Sequence, residues 1–107
     1  MAEQIENPKV FISQPMNGLS EETIRANRES VVKMLEEMGY EVLDSVFDFE
    51  DVEGVKNKGL FYLSESLKLI ATEADCVFFM KGWKNARGCN LEHDCAVAYN
   101  ILVKYEG

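Results

Sequence analysis

The chain is 107 residues long, room for one domain around one core. Its apolar content of 47% is ordinary for a globular protein, and no apolar run nears the ~20 residues that span a bilayer. A net charge of −8 excludes non-specific binding of a nucleic-acid polymer and attraction to anionic membranes, while leaving room for a local anion pocket.

The first residues, Met1–Glu6, are polar and acidic and lack the basic start and apolar stretch of a secretory signal, so a cytoplasmic location is expected. The three cysteines, Cys76, Cys89 and Cys95, are an odd count that argues against a disulfide framework.

Lys9–Ser13 reads as a short, mostly apolar strand, followed by a loop, Gln14–Gly18, marked by proline and Asn-Gly. Ser20 suits a helix N-cap, and Glu21 and Glu22 suit the positive end of the helix dipole. Ile24, Val31, Leu35 and Met38 recur at helical spacing, and Gly39 is a natural stop. Tyr40–Asp44 reads as a second strand, and the acidic, Gly-containing segment Ser45–Lys58 as a long loop. Leu60, Leu63, Leu67, Ile70 and Ala74 step by 3, 4, 3 and 4, an amphipathic helix.

Cys76–Met80 is a continuous apolar run, as expected of a strand covered on both faces. A loop over Gly82–Gly88, a helix from Cys89 to Tyr99 and a last strand, Ile101–Val103, complete the chain. The alternation β-α-β-α-β-α-β predicts an α/β fold of three layers, α-β-α. Its core is a flavodoxin- or Rossmann-like parallel sheet of four or five strands in the order 2-1-3-4.

In such sheets a ligand binds outside the carboxyl ends of the strands, where the strand order reverses. That point lies between the first and third strands, whose exit loops are Ser13–Leu19 and Lys81–Gly88, with Ser45–Lys58 as a potential lid. Glu92 is placed in the first turn of the last helix, where the helix dipole favours a carboxylate. A carboxylate there suits either a nucleophile toward a sugar carbon or a surface residue that complements the dipole. Arg87, beside free backbone N–H groups, suits an anion site or a solvated surface. Trp83 suits stacking on a planar base or covering the sheet edge.

Cys89 and His93 share a helix face, but Cys95 points away and no second Cys/His pair exists, which disfavours a metal site. His93 is read as a partner of the site or an exposed residue. Asp44 and Asp48 lie near the exit of the second strand, within reach of a sugar or of solvent. Asp75, at the opposite edge, is read as a turn or capping residue.

Three segments carry a family resemblance: Val10–Gly18, Ala74–Phe79 and Gly82–Glu92, followed by Ala96. Together they make the chain similar to the nucleoside 2-deoxyribosyltransferase superfamily over nearly its whole length, as one domain spanning 1–107. It looks most like a small branch found in bacteria and phages.

The resemblance implies chemistry at the N-glycosidic bond of a nucleoside or nucleoside monophosphate. The family's Gly-x-x-x-Glu element falls on Gly88 and Glu92, which makes Glu92 the nucleophile that forms a covalent glycosyl-enzyme intermediate. Transfer to a second base or to water then defines a transferase or a hydrolase. The family's sugar- and phosphate-binding first loop maps onto Ser13, Gln14, Asn17 and Gly18. Arg87 suits a 5′-phosphate, and Trp83 and Gly88 complete the expected binding set. No cofactor, metal, nucleic-acid polymer or membrane is implied, and a homodimer or larger homo-oligomer is expected.

The chain departs from characterised transferases before Gly88, where Asn85, Ala86 and Arg87 replace an Asp or Ser. Asp94 stands where they often carry a glycine. Ser64, Glu65 and Ser66 are the nearest polar residues where they carry a base-handling aspartate. These departures favour a second reading, a non-catalytic nucleotide- or nucleotide-sugar-sensing domain.

Overall fold

The computed structural model describes residues 7–16, 18–44 and 53–107. The elements run β1 (Lys9–Ser13), α1 (Glu21–Glu37), β2 (Glu41–Val42), α2 (Lys58–Glu73) and β3 (Cys76–Phe79). A 3-10 turn (Trp83–Asn85), α3 (Arg87–Ala98) and β4 (Leu102–Tyr105) follow. Every strand pairing is parallel, and the sheet order is β2-β1-β3-β4, the order expected from the alternation of elements. Among the described residues no helix is long and apolar enough to cross a membrane.

The period-2 alternation of strand side chains divides the core into two halves. Val10 and Ile12 of β1 with Cys76 and Phe78 of β3 face Val31 and Leu35 of α1. Phe11, Val77 and Phe79 face the other way, onto Ile70 of α2 and Ala96 of α3. The sheet therefore has α1 on one face and α2 with α3 on the other. Phe11 and Phe79 are both fully buried, each contributing about 1.5–3 kcal/mol of apolar burial.

The ends of the elements follow local chemistry. The Ser20 side chain accepts from the Thr23 N–H at 3.1 Å and caps α1. At its other end Gly39 adopts φ 95°, its N–H bonds Glu36 O, and the Tyr40 N–H bonds Leu35 O. This paired closure of a helix end uses the very N–H that Tyr40 would bring to a strand. The strand accordingly starts at Glu41 rather than Tyr40, and of the expected Tyr40–Asp44 it keeps Glu41–Val42, with the Leu43 N–H still bonded to Val10 O at 2.9 Å.

The same device ends α3. Asn100 adopts φ 60°, its N–H bonds Val97 O, and the Ile101 N–H bonds Ala96 O at 2.8 Å. The last strand therefore begins at Leu102 rather than Ile101. Asn57 caps α2 by accepting from the Leu60 N–H at 2.9 Å. Residues 45–52 of the expected loop and lid Ser45–Lys58, Asp48 among them, lie outside the described residues, and Lys58 is the first residue of α2 rather than the last of the loop.

Asp75 clasps the amino-terminal edge of the sheet. Its Oδ2 accepts from the Lys9 N–H at 2.8 Å, and its own N–H donates to Lys9 O at 2.8 Å. It acts as the capping residue that its position suggested, far from the carboxyl edge of the strands.

Candidate functional site at the carboxyl edge of the sheet

A cleft of about 480 Å³ opens at the carboxyl edge of the sheet beside β1, the strand that has β2 on one side and β3 on the other. That size suits a small organic ligand. Gln14 and Met16 line it from the β1 exit, Leu60, Tyr62 and Ser66 from α2 with Asn57 at its N-cap, and Arg87–Cys89 and Glu92 from α3 with Ala86 at its N-cap.

Glu92 forms its floor. The carboxyl is buried, and the Ser13 hydroxyl donates to its Oε1 at 2.6 Å. Burial pushes the Glu92 carboxyl up from the ordinary carboxylate range, while hydrogen bonds from Ser13 and Ser66 pull it back down. This corrects the expectation of a first-turn carboxylate held ionised by the dipole. The helix starts at Arg87, not Cys89, so Glu92 sits in the second turn, beyond most of the dipole's reach, and desolvation dominates. The surface-residue reading of Glu92 fails for the same reason.

The earlier helix start has a visible cause. The Asn90 side-chain amide donates to Lys84 O at 2.8 Å and Ala86 O at 2.9 Å, folding the preceding turn back against the helix. The first amide to bond within the helix is that of Asn90, to Ala86 O, and no side chain caps the helix. The Arg87, Gly88 and Cys89 amides thus stand at an open, positive helix end on the wall of the cleft. Arg87 is exposed there, with Nη2 3.9 Å from where a Cβ on Gly59 would lie, so its guanidinium reaches across the mouth to the first turn of α2.

Ser13, Gln14, Arg87, Gly88 and Glu92 are therefore brought together. Gly18 is exposed at φ 77° in the same exit loop but does not line the cleft. Asn17 lies outside the described residues. Trp83 also stands outside the cleft lining, stacked on His93 with ring centroids 4.4 Å apart and packed on Phe79 at 5.2 Å. His93 Nε2 and the Tyr105 hydroxyl share a hydrogen bond of 2.6 Å. These rings form a sheet-covering cluster that ties α3 to the end of β4, and Asp44 is exposed near the exit of β2.

Two contributors carried no assigned role in the sequence. Ser66 lies three residues after Leu63 and four before Ile70, on the buried stripe of α2, so a polar residue in an apolar stripe was its signal. Cys89 is buried beside Ser13 and Glu92, and burial pushes its thiol up. Among the described residues no group of three or more His, Cys, Asp or Glu is placed to hold a metal ion.

The fold and cleft define a Rossmann-like α/β protein, of a type compatible with nucleotide binding or enzymatic function in general. Residues 8–105 match the family described as Domain of unknown function (DUF4406), and the chain belongs to that family. Compared with curated proteins and with solved structures, the chain matches none.

Proposed function

We propose that the protein breaks the N-glycosidic bond of a nucleoside or nucleoside monophosphate, with Glu92 as nucleophile. The observation that carries this reading is the buried Glu92 carboxyl, held by the Ser13 hydroxyl at 2.6 Å beneath a cleft of ligand size. The resemblance of the Gly88–Glu92 element and of the first loop to nucleoside 2-deoxyribosyltransferases supports it. A Glu92 oxygen attacks the anomeric carbon, and the C–N bond breaks with its electron pair going to the base, which takes a proton from solvent. Water or a second base then displaces the carboxylate at the anomeric carbon and gives its proton to solvent, which leaves the free sugar or a new nucleoside and restores the Glu92 carboxylate. Arg87 and the open end of α3 suit a 5′-phosphate. A homo-oligomer belongs to the same proposal.

The test is a panel of ribo- and deoxyribonucleosides and their 5′-monophosphates, followed for base release and base exchange. Wild type turns over at least one member and Glu92→Ala none. Arg87→Ala weakens monophosphates by about tenfold and leaves nucleosides nearly unchanged. Equal inertness of wild type and Glu92→Ala across the panel removes the catalytic claim.

One observation favours a second reading, a nucleotide- or nucleotide-sugar-sensing domain without turnover. Glu92 is the single carboxyl among the described residues lining the cleft, and burial favours its neutral form. Calorimetric binding of a panel member with no turnover selects this reading.

A further inference from the structure

Glycine weakens a helix relative to alanine, so a glycine inside one calls for a reason. Gly59 is the second residue of α2, and its φ is not positive, so the backbone does not supply that reason. Its surroundings do. A Cβ on Gly59 would lie 3.6 Å from Oδ1 of Asn57, the cap of α2, and 3.9 Å from Nη2 of Arg87, the first residue of α3. Both are ordinary contact distances, so a methyl group fits. A longer side chain leans back toward the N-terminus of its helix, into the space that the guanidinium holds. Gly59 and Arg87 both line the cleft.

The charges around that space differ from those at the other helix start. α1 opens on Glu21 and Glu22, which suit its positive end. α2 and α3 have no acid in their first turns and open on Lys58 and Arg87, although the chain carries 19 acids against 11 lysines and arginines. Among the described residues neither cation has a salt-bridge partner. The dipole disfavours a cation at a helix N-terminus, and Arg87 lies against two such ends. The bare turn at Gly59 thus keeps a guanidinium where the helix ends do not favour it.

We propose that Gly59 is a positioning residue that berths Arg87 at the cleft mouth and so sets the preference for a 5′-phosphorylated ligand over the bare nucleoside. The inference rests on the nucleoside reading of the cleft and on Arg87 as its phosphate contact. Held against α2, the guanidinium loses less rotamer freedom when it takes a phosphate. A larger side chain on residue 59 pushes the arm outward and removes the phosphate contact, with the contacts to the nucleoside intact.

The quantity to measure is the ratio of affinities for a 5′-monophosphate and its nucleoside, by calorimetry, for a base that binds. The proteins are wild type, Gly59→Ala, Gly59→Leu, Arg87→Ala and the double variant of Gly59→Leu with Arg87→Ala. Alanine and leucine both favour the helix over glycine, so the variants at residue 59 keep the fold. Wild type is expected to favour the monophosphate by about tenfold. Gly59→Ala keeps that ratio, and Gly59→Leu lowers it by about three- to tenfold through the monophosphate alone. With Arg87→Ala already present, Gly59→Leu has no further effect on the ratio. An unchanged ratio in Gly59→Leu overturns the proposal, including the case where both ligands weaken alike. An equal drop with and without Arg87 also overturns it, because the added side chain then merely blocks the cleft. Equal wild-type affinity for the two ligands removes this inference and leaves the nucleoside reading in place. Failure of wild type to bind any nucleoside or monophosphate removes both.

Discussion

The Ser13 hydroxyl donates to Glu92 Oε1 at 2.6 Å, joining two buried side chains 79 positions apart in the chain. Ser13 is the last residue of β1, in register with Phe79 at the end of β3. Glu92 stands in the second turn of α3. The two meet because β1 and β3 are adjacent and parallel, so β1 ends beside the start of the helix that follows β3. The bond opposes the effect of burial: it stabilises the ionised carboxylate that desolvation disfavours.

Ser13→Ala removes that donor. Unfolding by urea should show a loss of about 1–3 kcal/mol. The Glu92 carboxyl should move further upward, because a hydrogen bond favouring its charged form is gone. If Glu92 reacts as a carboxylate, the acid limb of the rate profile shifts to higher pH in Ser13→Ala, and a profile unchanged in position counts against that role.

Glu92→Gln tests the effect of burial through stability. Folded Glu92 keeps its proton to a higher pH than an unfolded glutamate, whose ordinary value is 4.5. Its contribution to stability is thus complete below the unfolded value and is lost as pH rises through the folded one. The amide variant carries no such titration. Its unfolding free energy relative to wild type should rise as pH climbs from the unfolded value through the raised folded one, and a difference independent of pH would show that the carboxyl titrates as in water.

Trp83→Ala separates a covering role from a ligand-stacking role. The half-buried indole packs on Phe79, His93 and Tyr105, so its truncation should cost about 2–3 kcal/mol, below the value for a fully buried tryptophan. Ligand affinity should hold within about threefold at temperatures where the variant is folded. A large loss of affinity without a loss of stability would return Trp83 to the binding set.

Much of the architecture was legible in the residues. The alternation of apolar strands with amphipathic helices specified the parallel order, because a right-handed crossover leaves few alternatives. Ser20, Gly39 and Asp75 announced their roles through local hydrogen-bonding chemistry. The strand starts at Tyr40 and Ile101 were misread because each N–H is taken by a carbonyl of the helix just ended, a competition that apolar pattern does not register. The α3 start was misread because Asn90 anchors a turn from inside the helix, where no cap residue advertises it.

What the sequence determined by itself was the place of the cleft, at the exits of the first and third strands, since topology follows from periodicity and the place follows from topology. Only the tertiary structure decided the state of the groups within it. Burial turned Glu92 from an exposed, dipole-favoured carboxylate into a desolvated carboxyl held by Ser13. It drew Ser66 and Cys89 into the wall and withdrew Trp83 into an aromatic cluster. Desolvation and hydrogen-bond direction depend on neighbours distant in the chain, and those neighbours exist only once the sheet has brought them together.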